Sequence, residues 1–250
     1  KKSVFKLFKS NIIMDNLRIN MRGLKHYFDF LWAMTEKEIR TRYKRTILGF
    51  SWIILNPLLQ MLVIGLIFSF FVKIPDYFLF LISGLLPWQF FSLSVQKATP
   101  SFVYERNLLQ KANFPKEAIP LSIVFANFIN LIIAVFLLIL LLLLIRSSVS
   151  VAILIISLTW LLVFTVGLVL LTSTLNVKYR DIGFITQSIM ILWFYLTPII
   201  YNISLIPPRI HFIYFLNPLS SIFELLHQSL NGQGNINHDM LMANITISAV

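Results

Sequence analysis

From residue 50 onward the chain alternates between long apolar runs and short polar or basic connections. Five runs read as full membrane spans: 50–72, 77–95, 121–145, 151–175 and 182–201. At about 1.5 Å of rise per residue, ~20 residues cross a hydrocarbon core of ~30 Å. Pro57 lies inside the first run and predicts a bend, because it removes one backbone donor. Gly84 and Pro87 sit in the middle of the second and predict a break or unwound turn, tolerable where protein or a cavity covers the freed backbone groups. Residues 202–239 hold shorter apolar stretches, prolines and several charged or histidine side chains. They read as two small helices dipping into the outer interface, joined around Asn217–Pro218. Residues 240–250 begin another apolar run too short to cross, which reads as a truncated sixth span.

Before residue 50 the pattern is different. Val4, Phe5, Phe8 and Ile12 recur at helical spacing among Lys1, Lys2, Lys6 and Lys9, which fits either a short surface helix or a basic tail. Between Lys25 and Arg45, Phe28, Leu31, Trp32, Ile39 and Tyr43 are expected to share an apolar side, with Glu36, Lys37, Arg40 and Lys44 towards water. No apolar run there is long enough to span, so this helix is expected to lie along the cytoplasmic interface. The chain thus divides into a cytoplasmic segment, 1–49, and a transmembrane domain, 50–250.

Composition supports a membrane protein. Hydrophobic residues make up 58% of the chain, charged residues only 12%, and the mean hydropathy is +0.81. A soluble domain carries about 25% charged residues. The net charge of +11 is concentrated at the start: 12 of the 21 Lys and Arg precede residue 50. That is orientation charge rather than a nucleic-acid surface. With the segments 1–49, 97–120 and 176–181 inside, 18 of the 21 basic residues are cytoplasmic, leaving Lys73, Arg146 and Arg209 outside. The N-terminus is therefore expected in the cytoplasm. The first 25 residues lack the compact apolar core of a cleaved signal, so the first span is expected to act as its own signal. There is no cysteine, which excludes thiol chemistry.

Candidate chemistry is sparse. No Lys, Arg, Asp, Glu or His falls in the five full spans, which argues against proton coupling through an intramembrane carboxylate. No G-x-x-x-x-G-K-[ST] loop is present to hold ATP phosphates. His211, His227 and His238 lack metal-ligand spacing and read as interfacial side chains. No metal site and no catalytic residue is expected, and the chain reads as a transport subunit rather than an enzyme.

Three stretches then combine. They are IRTRYKRTILGFSWIILNPLLQM at 39–61; GLLPWQFFS at 84–92 with NLLQKANFPKEAIPLS at 107–122; and NVKYRDIGFITQSIMILWFYLTPIIY at 176–201 with FLNPLSSIFELLHQSL at 215–230. Their order and spacing resemble the permease subunit of ABC-2 type polysaccharide exporters, the group that exports O-antigen and teichoic-acid chains. The resemblance covers most of residues 30–230. It implies an all-α integral membrane protein with six transmembrane helices, an N-terminal amphipathic interface helix, a cytoplasmic coupling helix after the second span, and two short re-entrant helices before the sixth. It also implies a homodimer in the bacterial cytoplasmic membrane, paired with two copies of a cytoplasmic ATPase that carries the Mg-ATP. No cofactor is expected on this chain. The substrate implied is a lipid-linked polysaccharide. One departure is visible: Leu226-His227-Gln228 stands where the family usually has an aromatic–Arg pair.

On this resemblance, Arg106, Asn107, Leu108, Leu109, Lys111, Phe114 and Pro115 are candidates for docking the ATPase; a soluble connector is the alternative. Trp32, Arg40, Arg42, Tyr43, Lys44 and Arg45 are expected to hold the interface helix at the lipid headgroups, either as simple anchors or in contact with a lipid-linked pyrophosphate. Phe68, Phe71, Trp88, Phe90, Phe91, Trp193, Tyr195 and Tyr201 are channel-lining candidates, Trp88 and Tyr195 foremost; lipid belt or helix packing accounts for the rest. Pro207, Pro208, Asn217 and Pro218 are candidates for an outer gate or a structural cap. Competing functions are an ABC-2 drug, antibiotic or lipid exporter, a secondary transporter, and a glycolipid-processing membrane enzyme.

Overall fold

The computed structural model describes residues 25–44, 46–72, 74–111, 115–144, 149–232 and 238–249, so Arg45 and Phe114 lie outside the described residues. Helix α1 covers 25–43. A 3-10 turn at Gly49–Ser51 leads into α2, Trp52–Phe68. Then follow α3, Tyr77–Ala98; α4, Ser101–Tyr104; α5, Arg106–Lys111; α6, Ala118–Leu144; and α7, Val151–Lys178. The last are α8, Asp181–Leu196; α9, Phe212–Leu216; α10, Pro218–Asn231; and α11, His238–Ala249. No strand occurs among the described residues.

Four of these helices are long and apolar enough to cross a membrane, counting only the described residues: Gly49–Phe68, Tyr77–Ala98, Ala118–Leu144 and Val151–Lys178. The expected fifth span, 182–201, is shorter than its apolar run. Pro198 disfavours helical backbone at the residue before it, and Thr197 is extended, at φ −106° and ψ 140°. The 16 residues of α8 reach about 24 Å, short of ~30 Å of hydrocarbon.

Helix α3 is the centre. It packs against α2, α6, α7, α8 and α10, and most of its side chains are buried. Its residues 80–88 are buried all round, while Gln89, Ser92, Leu93 and Gln96 border open space. Its neighbours meet it through rings: Phe91 lies against Phe164 of α7 at 6.0 Å and Trp193 of α8 at 5.5 Å, and Phe90 against Phe128 of α6 at 5.6 Å. Hydroxyls within the helices bond back to their own carbonyls, as from Thr99 to Val95 at 2.7 Å and Thr165 to Leu161 at 2.6 Å. These local bonds let polar side chains sit in apolar surroundings.

The expected break at Gly84 and Pro87 does not occur; α3 runs through both. The reason is the packing of this stretch, where residues 80–88 are all buried. A methyl added at Gly84 would lie 3.0 Å from His227 Cε1, 3.1 Å from Ile199 Cγ2 and 3.1 Å from the Ile199 carbonyl. The glycine is there for close approach, not for bending.

His227 is correspondingly not interfacial: it is 1% exposed. Its ring stacks on Phe80 at 3.8 Å. Nε2 lies 3.0 Å from the Pro198 carbonyl, which only accepts, so Nε2 carries the hydrogen. Nδ1 lies 2.9 Å from the Ser83 hydroxyl. His227 therefore joins α10, α3 and the loop after α8 as a structural staple. Helix α11 docks on this unit through Asn244 to Ser221 at 2.7 Å and Trp160 to Ser248 at 3.0 Å.

Because one of the neighbours of Gly84 is a backbone carbonyl rather than the end of a flexible side chain, Gly84→Ala should destabilise by about 1–3 kcal/mol. Gly167→Ala meets open space on α7 and should stabilise by about 0.5–1 kcal/mol through helix propensity. Thermal unfolding in detergent separates the two.

Candidate functional site

Helix α1 turns a polar side to the bundle. Leu31 and Thr35 are buried, Glu38 and Arg42 are part-buried, and the four follow one another at helical spacing. Phe28 and Trp32, at 57% and 63% exposure, face away. The expected apolar side therefore splits. Leu31 goes with the protein-facing side, while Phe28 and Trp32 are left for the surroundings. The arginines split too: the Arg40 side chain is 79% exposed and pairs with Glu36, whereas that of Arg42 is 15% exposed and points inward. Two residues along a helix is about 200°, so neighbouring arginines must serve opposite sides.

Arg42 donates from Nη1 to Asn127 Oδ1 at 2.6 Å and from Nη2 to Glu38 at 3.0 Å. Glu38 also lies 3.8 Å from Lys97 Nζ of α3. Asn127 is held from behind by its donation to Ser94 at 3.0 Å. Asn130, one turn further on α6, donates to the Tyr43 hydroxyl at 3.2 Å. Burial pushes the Tyr43 hydroxyl above its ordinary pKa, against the opposing effect of the Arg42 charge, so it keeps its hydrogen. Of these groups Arg42, Tyr43, Lys97, Asn127 and Asn130 line a cavity of about 270 Å³ between α1, α2, α3 and α6, with Trp52, Asn56 and Gln89 on its other walls.

A second cavity of about 350 Å³ lies between α2, α3 and α8. Asn56, Gln89 and Leu93 line both cavities. Asn56, Gln60, Gln89, Ser92 and Gln96 give the second one a row of amides and a hydroxyl, and Trp88, Phe194 and Tyr195 give it aromatic faces. Gln89 donates to Gln60 at 3.3 Å and Gln96 to Ser92 at 2.6 Å. Such a lining offers hydrogen bonds and flat apolar surface without net charge.

The expected channel residues separate in space. Trp88 and Tyr195 border the second cavity and Phe90 the first. Trp88 also packs on Phe91 at 5.6 Å and Phe194 at 5.5 Å. Phe91 is fully buried, and Trp193 is tied to the Asn217 side chain by its indole N–H at 2.8 Å. Phe71 is 80% exposed beyond the end of α2, while Phe68 is part-buried. Tyr201 donates to the Tyr195 carbonyl at 2.7 Å and meets the Tyr214 hydroxyl at 2.9 Å.

Of the four outer-gate candidates, Asn217 makes the side-chain hydrogen bonds. Its Oδ1 accepts from the Leu219 N–H at 3.1 Å, capping α10 ahead of Pro218 at the first helical turn. Its Nδ2 donates to the Leu196 carbonyl at 3.1 Å and lies 3.2 Å from the Thr197 hydroxyl. Pro207 is exposed, and Pro208 opens a 3-10 turn at Pro208–Ile210. In the docking group, Arg106 and Asn107 on α5 are exposed, Leu108, Leu109 and Pro115 are half-buried, and Lys111 ends the helix. Lys37 of α1 forms an ion pair with Glu105, immediately before α5, at 2.9 Å.

Glu38, Lys97, Asn127, Asn130 and the amide row were not foreseen from the sequence. Asn127 and Asn130, three apart in the apolar 121–145 run, carried the available signal: polar side chains at membrane depth face protein or cavity.

The chain matches the ABC-2 type transporter family over residues 29–231. It is 36% identical to the O-antigen export system permease protein RfbA of Klebsiella pneumoniae, covering 88% of this chain and 86% of the relative. A second Klebsiella pneumoniae protein of that name is 34% identical with the same shares covered. The protein of that name from Myxococcus xanthus is 33% identical, covering 74% and 73%.

Glu38→Gln leaves Arg42 and Lys97 without their shared acid and should destabilise by about 1–3 kcal/mol. Lys37→Ala breaks an exposed pair and should cost about 0–1 kcal/mol. Paired thermal melts of the two variants check the difference.

Proposed function

The chain belongs to the ABC-2 type transporter family, and on that premise we propose that it is the membrane-spanning subunit of an ATP-driven exporter of a lipid-linked polysaccharide. The observation that carries this reading is 33–36% identity over most of the chain to proteins bearing the name of O-antigen export permeases. The two joined cavities support it. A glycan needs hydroxyl-matching amides and flat apolar faces, and the second cavity has both.

In this reading two copies associate through α2 and α8. Both helices leave apolar faces uncovered, with Leu62, Val63 and Leu66 on α2 and Ile191, Leu192 and Tyr195 on α8. A two-fold pairing there would enclose the amide and aromatic surface as a conduit. Helices α9 and α10 act as short re-entrant helices at the outer mouth. The N-terminus is cytoplasmic, in a bacterial inner membrane.

ATP is hydrolysed on two copies of a separate ATPase that dock at α5. The Lys37–Glu105 pair ties the docking segment to α1. Tyr43 at the end of α1 packs on Phe50 at 4.6 Å, just ahead of α2. Rigid-body motion of the ATPase thereby reaches a conduit-lining helix.

Deleting the chain's gene should abolish surface polysaccharide while lipid-linked chains accumulate inside, and the tagged chain should co-purify with an ATPase carrying a phosphate loop. Unchanged surface polysaccharide in the deletion strain would overturn the reading. Within the complemented strain, Tyr195→Ala removes one exposed aromatic face worth about 1 kcal/mol, so export should fall about fivefold at normal membrane insertion. Pulse-labelled surface polysaccharide measures it.

A further inference from the structure

Asn56 and Gln60 lie one turn apart on α2 and are both exposed, within an apolar helix long enough to cross a membrane. On α3, Gln89, Ser92 and Gln96 follow one another at helical spacing and border the same cavity as these two. On α8, Gln187 is exposed one turn ahead of Ile191, which also lines that cavity. An amide turned to hydrocarbon finds no hydrogen-bonding partner and costs free energy. These side chains, drawn from three helices, therefore mark one hydrophilic track. From Gln89 to Gln96 alone it runs about 10 Å.

The track is neutral. Among the described residues, every side chain that lines the second cavity is uncharged. The first cavity, which shares Asn56, Gln89 and Leu93 with it, carries Arg42 and Lys97. A ligand passing from the first to the second leaves cations for amides. For an uncharged, hydroxyl-bearing unit the step is nearly level, because amides both donate to and accept from hydroxyls. An ionised unit is attracted to Arg42 and Lys97, then loses that pairing with no counter-charge ahead. The cost recurs with each charged repeat of a polymer, whereas a phosphate linkage to lipid meets it once per chain.

We propose that this track selects a polysaccharide whose repeating unit carries no ionised group, with Gln60, Gln89 and Gln96 as specificity-determining side chains. A glycan bearing a carboxylate or phosphate in every repeat is the class it rejects. This rests on the export reading above and narrows it.

The first test is the composition of the surface polysaccharide lost when the gene is deleted. Its repeat should hold neutral sugars, without uronic acid or phosphate. An ionised group in every repeat would overturn the proposal and leave the export reading standing. Loss of no polysaccharide would overturn the export reading, and the proposal with it.

The second test uses the complete exporter in two strains that make this same backbone, one of which adds a pyruvate ketal, and so a carboxylate, to each repeat in the cytoplasm. Wild-type protein should export the acidic polymer about tenfold less than the neutral one, equivalent to about 1.4 kcal/mol. Gln60→Lys and Asn56→Lys each put a cation on an exposed wall of the track. Each should raise the acidic-to-neutral ratio about fivefold, equivalent to about 1 kcal/mol. Thr174→Lys adds the same charge at an exposed position of α7, away from both cavities, and should leave the ratio as in wild type. Equal export of the two polymers by wild type would overturn the proposal. So would ratios in Gln60→Lys and Asn56→Lys no higher than that in Thr174→Lys, which would place the selection outside this track.

Discussion

Burial of the central stretch of α3, residues 80–88, is the constraint the rest of the fold answers to. Lipid offers no hydrogen bonds, so the polar groups of a surrounded helix must find partners in the protein. Ser83 meets His227, Ser94 meets Asn127, Thr99 meets Thr172, and Lys97 meets Glu38. Each contact ties a different element to α3: α10, α6, α7 and α1. Helix association in a bilayer gains little from the hydrophobic effect and depends on close packing and such polar contacts. The aromatic cluster around Phe91 and the bare backbone at Gly84 supply the packing. The two cavities then lie where polar side chains of α3 leave this packed centre, towards α2.

Much of the architecture was legible because its cause is local. Long uncharged runs must become helices that satisfy their own backbone, so 121–145 and 151–175 became α6 and α7 to within a turn at each end. Asn217–Pro218 announced a helix start, and the asparagine does cap α10. What failed depended on tertiary packing. Gly84 and Pro87 signal weakness where the helix around them is open, and here residues 80–88 are all buried. The early stop of α8 was written in Pro198, but a hydropathy run does not register backbone geometry.

The candidate site was less legible for the same reason. Arg40 and Arg42 look alike in a basic stretch, yet one is exposed and the other is bonded to Asn127 and Glu38. Which side of an interfacial helix meets protein depends on what the protein presents there. Here that is a set of asparagines and Lys97, so a polar side of α1 turned inward and the aromatic side stayed outside. His227 shows the converse: a titratable residue in a mixed segment read as surface, yet a neighbouring carbonyl and hydroxyl made a dry position tolerable.

The Gln60–Gln89 contact, 3.3 Å long on the wall of the second cavity, has a kinetic consequence. Two amides joined by one hydrogen bond form a neutral, exchangeable pair. An incoming hydroxyl replaces one amide with itself, at nearly constant hydrogen-bond count. No deep energy well forms on either side of the swap. On the export reading proposed above, such a pair would let a hydroxyl-rich chain slide past without being captured, so its residence there would stay short and its direction would have to be imposed from elsewhere.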